Sequence, residues 1–416
     1  MFHAWWIVVL TSSVNLDHLS SVWNIQCSVP LSLRTTTTTT SSSEAAAAET
    51  TAEAATTAEK NTATISTKLT TVSEQFRDCS SLRGLFVEES LNPDSTVFTI
   101  PLSSCLCDND VAAIDSDSWA VRLASLLMDW IVSASTTSTR MSNNNKLTKA
   151  QQAWKSLLQP TIGELRESLP IHWDENLISS CLSKDLELAV DSFYFVRADA
   201  IDQLQQRFPW ASTQDCNNVL DIVQTRSCRL EPGIRVLAPV FDMINHGGRR
   251  HTNAQFFRKD NSLIVQTTQS IPKGTELLID YGESTRPAWR CLFSYGFVPK
   301  YDDDENDDDE PTELVVDGIS YRIEPKTLPY ELVEAASKRV GISEESSQGV
   351  LDLTPSICNY LVDIAVEQAQ QQQFDLPTTE TPNSHAERLI CDLRHQRRKG
   401  LLKLARRLQE YIHSQS

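Results

Sequence analysis

The sequence predicts an α+β protein in which two strand-rich stretches enclose a helical insertion and are followed by a helical C-terminal region. Three observations predict it. Short β-rich runs broken by turn residues occupy 85–106. Strand patterns return over 234–281, and between these stretches and again toward the C-terminus apolar residues recur at helical spacing. A chain of 416 residues is also long enough for more than one core, since single cores stop growing near ~250–300 residues.

Taken in order, the chain opens on an apolar run, Phe2 to Leu10 (FHAWWIVVL). Its length suits a signal-peptide core and is short of a ~20-residue membrane span. It has no basic n-region and no small-x-small cleavage site close behind it. It reads as an N-terminal extension of a cytoplasmic or nuclear protein without stable membrane insertion; the alternative is an organelle (plastid) import signal. Thr35 to about Thr71 is Thr, Ala, Ser and Glu with almost nothing to bury, and is expected to be disordered. Residues 1–75 are therefore assigned to an extension.

Leu85 to Leu106 holds β-rich runs split by the turn Asn92-Pro93-Asp94. The helical insertion, about 111–235, includes Trp119 to Ile131 and Ala153 to Ala200, with the polar stretch Ser133 to Lys149 between them. From Ile234 the strands are IRVLAPVF, a hairpin AQFFRK–DN–SLIVQTT, and ELLIDY ending at Tyr281. Asp302 to Glu310 reads as a solvated acidic loop. Beyond it Asp317-Gly318 marks a second hairpin, and Thr354-Pro355 reads as the N-cap and first residue of a helix. The last helix, about His385 to Ile412, has Leu389, Leu393, Leu401, Leu404, Leu408 and Ile412 on one face. Arg394, Arg397, Arg398, Lys399, Lys403, Arg406 and Arg407 are expected on the other, a solvated face or a docking face for substrate. The divisions are 76–300 for the strand-rich domain with its insertion and 301–416 for the helical domain.

Composition narrows the function. With 37 Lys+Arg against 55 Asp+Glu the formal charge is −18, which argues against nucleic acid as the partner, because a phosphate backbone attracts positive charge. Ten scattered cysteines are too few for a disulfide scaffold. Cys105-x-Cys107 is the only close pair and no second pair follows, so no structural zinc is expected.

The densest chemistry lies at Pro239-Val240-Phe241-Asp242-Met243-Ile244-Asn245-His246, an apolar strand ending in Asp-x-x-Asn-His. Alone this could be a turn whose Asp and Asn cap the backbone. Some 35 residues on stands Ile279-Asp280-Tyr281-Gly282, preceded by Ile271-Pro272-Lys273-Gly274-Thr275-Glu276 and followed by Tyr295-Gly296-Phe297-Val298. Upstream is Arg83-Gly84-Leu85-Phe86-Val87. These ordered motifs resemble a SET domain, and specifically the branch similar to RuBisCO large-subunit methyltransferase. Trp154, Leu169-Pro170, Trp173, Trp210-Ala211 and Thr225-Arg226 fit the same branch.

The resemblance implies a SET β-fold with a helical insertion, followed by an all-α substrate-binding domain. It implies S-adenosylmethionine as cofactor, a protein substrate, a monomeric enzyme, no metal, and methylation of a lysine amine. Asn245, His246, Arg226 and the loop Arg83-Gly84-Leu85 would hold the cofactor. Tyr281 would be the catalytic tyrosine beside the transferring methyl, and Asp242 and Tyr295 would line the substrate cleft. Each has a plainer reading: Tyr281 and Tyr295 as core aromatics, Asp242 as a turn-former, Arg226 as a helix-surface ion pair. Leu82 stands where the family's first glycine does, so the loop must turn without that freedom. Phe257 stands about where a channel tyrosine often occurs. Alternatives to lysine methylation are methylation of histidine and a catalytically weak interaction module built on the SET scaffold.

Overall fold

The computed structural model describes residues 26–27, 31–35, 83–110, 118–132, 154–155, 158, 163, 165–230, 233–282, 287–299, 311–324, 327–342, 353–374 and 384–415. The apolar run 2–10, residues 36–71 of the low-complexity stretch, Leu82, the polar stretch 133–149 and the acidic block 302–310 lie outside them. The chain divides into two compact units, Met1–Leu157 with Ser227–Tyr281, and Leu158–Arg226 with Gly282–Ser416.

The first unit is built of strands. β1 (Gln26–Cys27) pairs with β4 (Thr96–Pro101), which pairs with β10 (Ser262–Thr267), itself paired with β9 (Ala254–Lys259), all antiparallel. The predicted hairpin closes in register, Lys259 opposite Ser262, with Asp260 at φ 53° in the tight turn. Val97, Phe98, Ile100, Leu263 and Val265 are all fully buried. The predicted turn at Asn92-Pro93-Asp94 is pinned from β10. Thr267, itself fully buried, donates through Oγ1 to the Asn92 carbonyl (2.7 Å) and accepts from the Ser95 amide (2.9 Å).

Two further strand sets complete this unit. β2 (Leu31–Thr35) pairs with β3 (Arg83–Val87), and β5 (Leu106–Cys107), β7 (Ile234–Leu237) and β6 (Cys228–Leu230) form a three-stranded sheet. The helix α1 (Trp119–Val132) buries Val121, Leu123, Ala124, Leu127 and Met128. The Arg235 guanidinium lies 4.0 Å over the Trp119 ring, and Arg122 binds Asp108 at 3.0 Å.

Helices dominate the second unit. The short α2 (Glu175–Ser180) starts at Asp174, which accepts from the Leu177 amide (2.9 Å). α3 (Lys184–Arg207) starts at Ser183, which accepts from Leu186 (3.3 Å), with Asp185 and Glu187 favouring the positive end of the helix dipole. α4 (Thr213–Arg226) follows, and after the very short α5 (Gly248–His251) of the first unit comes α6 (Ala288–Tyr295). The hairpin β12 (Thr312–Val316) and β13 (Ile319–Ile323) turns on Asp317-Gly318, both at positive φ (55° and 77°) as a two-residue turn requires. α7 (Tyr330–Arg339), α8 (Pro355–Phe374) and α9 (His385–Gln415) complete it. α8 begins at Pro355 with Thr354 before it, as the sequence predicts. α9 begins in a capping box: Ser384 Oγ accepts from the Glu387 amide (3.2 Å) while Glu387 accepts from the Ser384 amide (3.1 Å).

The long α9 serves two cores of this unit. Its first half, through Ala386, Leu389, Ile390 and Leu393, packs with Trp173, Cys181, Leu186, Val190 and Leu292. Its second half, through Leu401, Leu404, Ala405 and Leu408, packs with Leu314, Ile323, Leu332, Ile357 and Leu361. The basic face expected on α9 is corrected at two positions, because Arg394 is 1% exposed and Arg397 9%. Arg394 points at the C-terminal end of α8, where helix carbonyls lack partners, and donates to the carbonyls of Gln372 (3.0 Å) and Gln371 (3.0 Å) and to that of Ser180 (3.5 Å). Arg397 lies 3.8 Å from the buried Glu313. Among the described residues no helix is long and apolar enough to cross a membrane.

Candidate active site

The site is assembled where three stretches of the first unit meet. β8 (Asn245–His246) and β11 (Leu278–Ile279) pair in parallel, with Asn245 opposite Leu278 and His246 opposite Ile279. The segment before β11 pairs with β3: the Val87 amide donates to the Thr275 carbonyl (3.0 Å) and the Leu277 amide to that of Leu85 (2.7 Å). Asn253, 4% exposed, clamps the junction. Its Oδ1 accepts from the Leu278 amide (2.8 Å) and its Nδ2 donates to the Glu276 carbonyl (2.8 Å). Residues 83–87, 245–246 and 275–281, distant in sequence, are thereby fixed side by side.

Asn245 and His246 are presented by a sharp turn. Val240 takes φ 71°, ψ −47°, the rare γ-turn region, although it is β-branched and 2% exposed. A one-turn 3-10 helix over Phe241–Met243 follows, closed by the Met243 amide on the Val240 carbonyl (3.0 Å). Backbone held in such a region costs of order ~1–3 kcal/mol and persists where its surroundings over-determine it. Here buried Phe241, packed edge-on at 4.9 Å against Phe256, and buried Asp242 do so. Asp242 Oδ2 accepts from the indole of Trp154 (3.0 Å), which has no exposed surface.

Tyr281 ties the stretches together. Its amide donates to His246 Nδ1 (3.2 Å), its hydroxyl donates to the Ile244 carbonyl (2.6 Å), and its ring lies 5.2 Å from the imidazole. Burial pushes the His246 imidazole below its ordinary range, against the opposing pull of Asp280 and the Ile279 carbonyl. A neutral ring is also what accepting at Nδ1 requires. Gly282 takes φ 82°, and a Cβ there would meet nothing within 4 Å, so it is the backbone conformation that calls for glycine.

At Gly84 the question is one of space, because any side chain there would displace the Glu276 carboxyl. A Cβ at that position would stand 2.1 Å from Glu276 Oε1 and 3.0 Å from Asn245 Nδ2. Asn245 Nδ2 in turn donates to Glu276 Oε1 (2.7 Å). The structure therefore brings Gly84, Asn245, His246 and Tyr281 into one cluster, with Arg83 and Leu85 in the adjoining strand and Asp242 just behind, buried against Trp154. Arg226, the last residue of α4, and Tyr295, the last residue of α6, belong to the second unit. Tyr295 stacks at 6.1 Å on Phe297. Phe257 is 37% exposed on β9.

Sequence reasoning missed three residues. Glu276 was legible only as part of a turn-and-strand motif, although an acidic residue heading an apolar strand is a signal in itself. Asn253 and Trp154 act through long-range hydrogen bonds that leave no local trace. A carboxylate, a carboxamide, a neutral imidazole and a phenol oxygen within one strand cluster, with a glycine clearing the space above, form a donor set suited to a ligand carrying both positive charge and hydrogen-bonding groups.

Comparison with known proteins agrees with this architecture. Residues 82–282 match the SET domain family. A 77-residue stretch is 35% identical to human N-lysine methyltransferase SETD6, which is 18% of this chain and 15% of that protein. The fold is similar to the SET domain of LSMT bound to lysine and AdoHcy (TM-score 0.52, 13% identity, 79% of this chain and 84% of that one). It is likewise similar to Rubisco LSMT bound to sinefungin and monomethyllysine (TM-score 0.52, 14% identity, 79% and 85%). At these identities the likeness is one of fold. The match to the SET domain family spans just under half of this chain.

Proposed function

We propose that the protein is an S-adenosylmethionine-dependent methyltransferase acting on a lysine side chain of another protein. The observation that carries this reading is the double tie of Tyr281 to His246 Nδ1 and to the Ile244 carbonyl, which sets a phenol oxygen beside the Asn-His strand end. The SET match, the LSMT-like fold and the lysine methyltransferase relative support it.

S-adenosylmethionine, when bound, supplies an electrophilic methyl on a sulfonium whose departing thioether needs no proton. The protein's share is then binding, alignment and exclusion of water. Strand 83–85, Asn245 and His246 hold the cofactor in this reading. The Tyr281 hydroxyl gives its proton to Ile244, so toward a ligand it acts only as an acceptor, suited to orienting a polarised methyl and an amine N–H. The attacking lysine, with a reference pKa of about 10.4, must be neutral, and desolvation in a half-buried site favours that form. His246, kept neutral by burial, adds no cation. The region 301–416 takes the role of docking the protein substrate.

The test is transfer of label. The full chain is incubated with methyl-tritiated S-adenosylmethionine and a protein extract, and the labelled protein is hydrolysed to amino acids. Methyl-lysine is expected; methyl-histidine, or no label above an Asn245→Ala control, would refute the reading.

A further inference from the structure

The assignment of cofactor to the 83–85 strand and the Asn-His pair leaves one ionisable group at that place without a task. Glu276 sits on the segment hydrogen-bonded to β3, with its own carbonyl held by Asn253 (2.8 Å). The main chain being fixed on both sides, the side chain folds back over Gly84, and Oε1 occupies the space a Cβ at residue 84 would need. Its hydrogen-bond partner is Asn245 Nδ2 (2.7 Å), a neutral donor on β8.

No Lys, Arg or His among the described residues pairs with it. His246 and Asp280, on and beside the neighbouring strands, face each other at 3.9 Å. Burial holds the Glu276 carboxyl above the usual carboxylate range, with Asn245 opposing. Glu313, in the second unit, shows what a finished structural carboxylate looks like. It accepts from Ser183 Oγ (2.9 Å), the Asp185 amide (3.1 Å) and Ser320 Oγ (3.1 Å), and faces Arg397. A shielded carboxylate aimed by a carboxamide, with no cation paired to it among the described residues, is the arrangement expected where the cation comes from a ligand.

Resting on the methyltransferase reading, we propose that Glu276 is the counter-charge of the cofactor site, its carboxylate pairing with the positive charge of bound S-adenosylmethionine while Asn245 aims it. Gly84 is then the residue that leaves room for this pairing. On binding, the fraction of Glu276 that is protonated at mildly acid pH gives its proton to the buffer, because a nearby cation favours the charged form.

Glu276→Gln keeps the volume and an oxygen for Asn245 and removes only the charge. By calorimetry on the full chain, the Kd for S-adenosylmethionine should rise about 10-fold or more. The Kd for uncharged 5′-methylthioadenosine should stay within twofold. In the unaltered protein, titration in two buffers of different ionisation heat, repeated as the pH is lowered from neutral into the acid range, should show net proton release on binding S-adenosylmethionine that grows as pH falls. Unchanged affinity for S-adenosylmethionine in Glu276→Gln overturns the proposal, and so does equal loss of both ligands, which would make Glu276 structural. If the variant does not fold, absence of proton release in the unaltered protein overturns it. Failure of the unaltered chain to bind S-adenosylmethionine at all would instead remove the methyltransferase reading on which the proposal stands.

Discussion

The helical unit's buried charges and the candidate site of the strand unit hold polar groups differently. In the helical unit Asp221, Glu313 and Arg394 are 1%, 3% and 1% exposed, and each is closed off by its neighbours. Asp221 lies 2.8 Å from His172 Nε2 and is bound by Arg197, whose Nε is in turn held by Asn217 (2.8 Å). Arg394 ends on three carbonyl oxygens. At the candidate site Asn245, Glu276 and Tyr281 are half-buried beside the enclosed side chain of His246, and the ties among them fix direction. A saturated polar group serves the fold, because its capacity is spent on the chain itself. A half-buried cluster over a glycine keeps hydrogen-bonding capacity to offer a ligand.

The comparison can be broken first at Arg394. Arg394→Ala takes the donor from the carbonyl of buried Gln372, at about 1–3 kcal/mol, and from those of the exposed Gln371 and Ser180, which water can satisfy. A loss of about 2–3 kcal/mol in denaturant unfolding is expected, with cofactor affinity unchanged in the remaining folded protein. A loss under 1 kcal/mol would mean that water replaces the guanidinium and that the helical unit's charges are not structural.

Asn245→Ala probes the other side. It should weaken S-adenosylmethionine binding by about 1–3 kcal/mol, the cost of leaving buried partners unpaired, and change thermal stability less than Arg394→Ala does. The reverse order of effects would erase the distinction between the two units.

A smaller effect comes from pH. Burial lowers the His246 pKa in the folded state, so the unfolded chain binds the proton more tightly. Stability from this group is therefore intact above its ordinary pKa of about 6.5 and is lost as pH falls through the folded value. The melting temperature of the wild type should fall between pH 7 and pH 5 more than that of His246→Gln. Parallel curves would place the proton elsewhere.

What could be read from the sequence follows from the range of the forces. Asp317-Gly318, Lys259 to Ser262 and Thr354-Pro355 are local devices, a φ > 0 turn or a cap, and the structure has each where the sequence puts it. The strand end Asn245-His246 is visible as composition, but its parallel pairing with Leu278 and Ile279, more than 30 residues on, leaves no local signal. Asn253, Trp154 and the carboxylate of Glu276 act across 23 to 88 residues of chain, where no periodicity records them. Arg394 and Arg397 were misread as solvated because helical spacing cannot report that the open end of a neighbouring helix lies beside them.

The central claim is that Tyr281 acts on the reaction while the strands around it hold the cofactor. Tyr281→Phe removes one oxygen and leaves the ring against His246, at a cost of about 1 kcal/mol for the lost bond to Ile244. Single-turnover methyl transfer, measured beside equilibrium binding of S-adenosylmethionine, separates the two roles. The rate should fall about 100-fold or more, roughly 3 kcal/mol of barrier at 1.36 kcal/mol per decade, with the Kd within twofold of wild type. A variant that transfers methyl at the wild-type rate would contradict the account.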